Sequence, residues 1–145
     1  MSDQTLFEKI LCGDIPGNFI ARGENWASFL DVFPRSQGHT LVVPKRAAKR
    51  ITELEKEELT ELMEGVKITQ GKLSKYFGTQ DFTVMVHDGP LAGQEIPHVH
   101  FHIIPRISGD KGLALPAIFP DARPPNPPDF ARLSELCNNI REASE

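Results

Sequence analysis

The chain has 145 residues, 39% of them hydrophobic and 25% charged, with 16 basic against 20 acidic side chains and a net charge of −4. That length suits one domain with a real core, and the acidic balance argues against nucleic acid or an anionic membrane surface as partner. Cys12 and Cys137 form no Cys-x-x-Cys pair, the N-terminal residues lack a signal pattern and no apolar run reaches membrane-spanning length, so a cytoplasmic protein with reduced thiols is expected.

Leu6, Phe7, Ile10 and Leu11 recur at helical spacing and predict a short first helix closed by Gly13. Residues 19–22 and 26–32 read as a strand pair turned at Gly23-Glu24-Asn25, and residues 39–44 as a third strand after a turn over 34–38. Thr52 followed by Glu55 predicts a capping box opening the main helix. Its apolar face would carry Leu59, Leu62, Met63, Val66, Leu73 and Phe77, with Gly78 as its stop. Residues 81–87 form a fourth strand, 88–94 a loop, and 98–106 a fifth strand. Five strands and two principal helices without βαβ alternation predict an α+β fold with an antiparallel sheet. Five prolines between Pro120 and Pro128 stiffen an extended segment, and Phe130, Leu133, Leu136, Cys137 and Ile140 mark a closing amphipathic helix. Residues 1–145 therefore read as a single domain whose Pro-rich segment and C-terminal helix occupy 120–145.

The run His98-Val99-His100-Phe101-His102-Ile103-Ile104-Pro105-Arg106 places three of the five histidines at every second residue. On a strand their imidazoles share one face, with Cα atoms roughly 6.5–7 Å apart, while Val99, Phe101 and Ile103 turn to the core. Two chemistries suit such a row. Neutral imidazoles ligate metals, and one neutral imidazole can also attack phosphorus while its neighbours donate hydrogen bonds to phosphoryl oxygens. No carboxylate interrupts the row, and Gly89, Gly93 and Gln94 precede it with open backbone and an amide suited to phosphate. That context favours phosphoryl chemistry and leaves metal binding open.

His98-x-His100-x-His102-Ile103-Ile104 resembles the signature of the histidine triad (HIT) superfamily of nucleotide hydrolases and transferases. The similarity runs from about Leu6 to Arg106. It takes in Phe7-Glu8-Lys9-Ile10, Phe29-Leu30-Asp31-Val32-x-Pro34, Gly38-His39-x-Leu41-Val42-Val43-Pro44-Lys45 and Asp88-Gly89-Pro90-x-Ala92-Gly93-Gln94. The opening half is similar to the Hint branch, the glycine-rich loop equally to the Fhit branch.

This resemblance implies a five-stranded antiparallel sheet with a main helix and terminal helices, pairing into one continuous sheet in a homodimer. It implies His100 as the nucleophile that takes up a nucleotidyl group, His98 and His102 as its orienters and phosphoryl contacts, and His39 as their support. Gln94 would contact phosphate, Asp31 both ribose hydroxyls, and Leu6, Phe7, Ile10, Phe29 and Val32 the base. The implied substrates are nucleotides: purine nucleoside phosphoramidates first, dinucleoside polyphosphates second. A nucleotide-binding module with little turnover, or a metal enzyme using the histidine row as ligands, stand as alternatives.

Three departures stand out. His87 occupies a position where asparagine or glutamine is usual, so it joins the substrate-binding candidates as a group that can donate a hydrogen bond. Glu95 stands where serine or threonine is usual. Thr5-Leu6-Phe7-Glu8 and Pro44-Lys45-Arg46-Ala47 lack the cysteines and histidine with which some relatives hold zinc, so neither a structural metal nor a cofactor is expected.

Overall fold

The computed structural model describes residues 3–114 and 118–143, in two compact units that divide between Asp110 and Lys111. The first begins at Thr5, whose side chain accepts from the Glu8 amide while Glu8 accepts from Thr5, a reciprocal cap that starts helix α1 (Leu6–Leu11). Strands β1 (Phe19–Arg22), β2 (Trp26–Leu30) and β3 (Thr40–Pro44) follow, then helix α2 (Lys56–Phe77), β4 (Phe82–Val86) and β5 (Phe101–Pro105). All pairings are antiparallel and the order is β1-β2-β3-β5-β4, so the α+β architecture expected from the sequence is present.

The last strand inserts between β3 and β4, which puts His102 inside the sheet. Leu41 and Met85 both stand opposite His102. Residues paired across an antiparallel ladder share a face, and β3 alternates accordingly. Val42 joins Trp26, Leu62, Val66, Leu73, Val99 and Ile103 under α2, while Leu41 and Val43 join Phe7, Ile10 and Phe29 under α1. Both faces of β3 are covered, and all five of its residues are buried.

Three local expectations are revised. The second strand stops at Leu30 rather than Val32, because the Asp31 carboxylate accepts from the Phe33 amide at 2.8 Å and turns the chain. The main helix opens at Lys56 instead of after Thr52. Buried Leu54 holds an extended backbone (φ −80°, ψ 140°) that a helix cannot run through, and Glu58 accepts from the Glu55 amide to cap the later start. Met63 is half exposed, and Gly65 and Thr69 take its expected place in the buried stripe of α2. A Cβ at Gly65 would lie 2.5 Å from the Trp26 indole, so only glycine lets the helix rest on that ring.

Thr69 donates to the Ser28 hydroxyl at 2.8 Å, both fully buried, tying α2 to β2. Thr69→Val keeps the volume and strands the Ser28 hydroxyl without its partner. It is expected to destabilise by about 1–3 kcal/mol, read as a lower urea midpoint at unchanged slope.

The second unit carries helix α3 (Phe130–Ala143), whose Arg132 amide donates to the Asp129 side chain at its start. Phe130, Leu133, Leu136 and Ile140 are exposed. Among the described residues, no helix is long and apolar enough to cross a membrane.

Candidate active site

The ladder of β5 begins only at Phe101, so His98 and His100 belong to the segment that leads into it and not to the expected strand over 98–106. The approach is held elsewhere: the Val99 amide donates to the Ala48 carbonyl at 2.8 Å. Alternation survives without the ladder. Val99 and Ile103 are buried under α2, and the three imidazoles stand on the opposite face beside α1.

Hydrogen-bond partners assign the tautomer of each ring. His98 donates from Nε2 to the Pro44 carbonyl at 2.7 Å and accepts at Nδ1 from the Thr5 hydroxyl at 2.8 Å. Both nitrogens are spent and the residue is fully buried. His98 therefore does not reach a phosphate; its contribution is the backbone carbonyl that accepts from His100 Nδ1 at 2.8 Å. That bond places the hydrogen of His100 on Nδ1 and leaves Nε2 as a lone-pair nitrogen. The edge of the Phe7 ring, 4.9 Å between centroids, steadies the imidazole from the side.

The other chain starts at the Arg35 amide, which donates to His39 Nδ1 at 3.0 Å. His39 then donates from Nε2 to His102 Nδ1 at 2.9 Å, and the hydrogen of His102 is displaced to its own Nε2. Among the described residues, His102 Nε2 is a buried side-chain nitrogen with no partner, a donor held without an acceptor. One lone pair on His100 and one free N–H on His102 thus lie on rings 5.0 Å apart.

Burial keeps these rings neutral. It lowers the pKa of His98 and of His100 below the ordinary imidazole value, and does so for His39 against the opposing pull of Asp31. Burial, reinforced by the imidazoles of His100, His39 and His87, pushes His102 down to about 4.

A cleft of about 290 Å³ opens over this face. Leu6, Phe7, Ile10, Phe29 and Val32 form an apolar arm with Asp31 at its edge, and His39, His100 and His102 form the floor. Met85, His87, Gly93, Glu95 and Ile96 supply the remaining wall. The His87 ring lies 5.5 Å from that of His102, and Gly93 at φ +100° passes beside it.

Gln94 is absent from the lining. Its amide donates to the Lys49 carbonyl at 2.8 Å, and the loop turns Glu95 to the cleft in its place. Arg35 also lines the cleft, and neither it nor Thr5 stood out in the sequence. Thr5 carries a capping-box signal with Glu8, but nothing local announces that its hydroxyl reaches a histidine 93 positions away.

Asp31, His39 and His102 offer ligand atoms within 4.8 Å of one another, a geometry worth testing for a cation. The tautomers do not fit. A metal at His39 Nε2 needs a lone pair there, yet the Arg35 amide donating to Nδ1 leaves Nε2 with the hydrogen, 2.9 Å from the atom it bonds.

A HIT domain family model matches residues 13–109. The chain is 45% identical over 105 residues to an uncharacterized HIT-like protein of Methanocaldococcus jannaschii, covering 72% of this chain and 81% of that one. It is 38% identical over 110 residues to adenosine 5′-monophosphoramidase of Schizosaccharomyces pombe, covering 76% and 80%. A HIT-family crystal structure from Bacillus subtilis superposes with a TM-score of 0.80 at 27% identity, over 97% of this chain and 96% of that one. The chain belongs to the histidine triad (HIT) family.

Proposed function

We propose that this protein is a nucleotide hydrolase that cleaves the bond between the α-phosphorus and the leaving group of a purine nucleoside phosphoramidate, with dinucleoside polyphosphates as second choice. The observation that carries this reading is the His100 Nδ1–H bond to the His98 carbonyl, which presents Nε2 as a neutral nucleophile beside the free N–H of His102. The similarity to a monophosphoramidase supports the ranking of substrates.

In the first half-reaction the His100 Nε2 lone pair bonds to phosphorus, and the bond to the leaving atom breaks with its electron pair going to that atom. His102 Nε2–H donates a hydrogen bond to the departing atom or to a non-bridging oxygen, where charge develops. In the second half-reaction water attacks phosphorus, the bond to Nε2 breaks, and the nucleoside monophosphate leaves. The leaving atom takes one proton from solvent in the first half-reaction and the attacking water returns one to solvent in the second, so the two halves together are proton-neutral. His98 positions the nucleophile through its carbonyl, and His39 and the Arg35 amide hold His102 in its donating tautomer. Asp31 keeps lone pairs for two ribose hydroxyls beyond the Phe33 bond, and the apolar arm of the cleft suits a purine. A homodimer remains part of this reading, with β4 as one of the two edge strands of the sheet.

A nucleotide-binding module with little turnover is the second reading, favoured by the Glu95 carboxylate in a cleft meant for phosphate. Adenosine and guanosine phosphoramidates, diadenosine polyphosphates and nucleotide sugars, incubated with the protein and read by intact mass after rapid quenching, separate the two. Hydrolysis with a transient gain of one nucleoside monophosphate on the protein is expected. Binding of AMP with no turnover of any compound overturns the hydrolase.

A further inference from the structure

We infer that Glu95 selects the leaving group, favouring α-phosphoramidates whose departing amine carries a positive charge and disfavouring polyphosphate leaving groups. The inference rests on the hydrolase reading above and names the substrate class of the same cleft.

The two arms of the cleft differ in chemistry. Asp31 and the apolar side chains come from α1 and the end of β2, on the β3 side of the histidine floor. His87 follows β4 on the opposite side and Gly93 passes beside its ring; Glu95 comes two residues later and lines the cleft, before Ile96 packs against the apolar cluster of Phe7, Ile10 and Phe29. A nucleoside that fills the first arm leaves the second to whatever departs from phosphorus. His100 lies between them, and its ring feels the charges of both Asp31 and Glu95.

The loop commits its other polar group elsewhere, since the Gln94 amide is spent on the Lys49 carbonyl. Of the carboxylates in the cleft, Asp31 is held by the Phe33 amide and stands 3.6 Å from His39. Glu95 makes no hydrogen bond or ion pair among the described residues, and it is exposed at the mouth. An uncommitted carboxylate beside a nucleophile that must meet a phosphate opposes every anionic ligand. It becomes an attractive contact when the substrate carries a cation on its leaving side. A di- or triphosphate leaving group brings more negative charge to that position, and among the described residues Arg35, whose amide donates to His39, is the one Lys or Arg lining the cleft.

The test compares adenosine phosphoramidates of three amines: one ending in an ammonium, one in a methyl and one in a carboxylate, each with the parent protein, Glu95→Gln and Glu95→Lys. Reading the ratio of kcat/KM between amines within each protein, and then between proteins, cancels the intrinsic reactivity of each leaving group. The parent should prefer the ammonium compound over the methyl compound. Glu95→Gln should lower that ratio about fivefold, Glu95→Lys should invert the preference toward the carboxylate compound, and added salt should shrink the parent's preference. Ratios equal in the parent and both variants, with the methyl compound hydrolysed normally, overturn the role of Glu95 and leave the hydrolase standing. Failure of the parent to hydrolyse any of the three overturns both.

Discussion

His100→Ala should lower kcat/KM by on the order of 10⁴-fold or more and abolish the nucleotidyl adduct, while AMP affinity stays within about tenfold. The asymmetry follows from where the residue acts. In the proposed reaction its lone-pair nitrogen bonds only to a phosphorus under attack, whereas the nucleoside contacts proposed for the apolar arm and Asp31 would act in ground and transition states alike. The ring is buried against Phe7, so alanine also opens a cavity. His100→Gln fills more of that space and serves as the second variant; it should bind AMP and show the same loss of turnover. Equal losses of affinity and turnover in a well-folded His100→Gln would assign the residue to binding instead of chemistry.

Acid should destabilise this protein strongly, because four imidazoles are folded in neutral form. The pKa values of His39, His98, His100 and His102 all lie below the ordinary value in the folded state, His102 at about 4. Between those values and the unfolded value near 6.5 the unfolded chain binds more protons, so stability rises with pH across that window and is fully present above it. Each unit of depression is worth about 1.4 kcal/mol; discounting the open side of the cleft, the loss between pH 7.5 and pH 4.5 should be about 3 kcal/mol. Urea midpoints measured from pH 4 to 8 check this, and a flat profile would mean that the rings are solvated. Activity should follow the same cause. A free imidazole nucleophile would be half protonated at pH 6.5, whereas kcat/KM here should hold its plateau below that pH before falling.

The local chemistry of the chain is enough to read much of this molecule. Period-two alternation from His98 to Ile103 fixes which side chains share a face whether or not a ladder has formed, and both the paired strand and its unpaired approach obey it. Gly13 and Gly78 end their helices with positive φ, the conformation glycine adopts without strain. Short turns between apolar runs sufficed for the antiparallel sheet. Asp31, His39, His87, His100 and His102 converge on one cleft with the apolar residues expected beside them.

Other features depend on partners distant in sequence, and there local reasoning ran out. Thr52 and Glu55 have the spacing of a cap, but burial of Leu54 decides where the helix begins. Met63 fits the helical stripe, yet the indole of Trp26 reserves that flank for Gly65. Gln94 and Glu95 are adjacent and polar, and only the Lys49 carbonyl determines which of them faces the cleft. By itself, then, the sequence determined the fold class and the face the histidines share, because periodicity and turn propensity act within a few residues, and its motifs carried the resemblance to the family. The tertiary structure alone decided which imidazole nitrogen carries its hydrogen, that His98 is sealed from the cleft, and that Glu95 and not Gln94 lines it. Those outcomes rest on hydrogen bonds from Thr5, Arg35, Pro44 and Lys49 that exist only once the chain has folded.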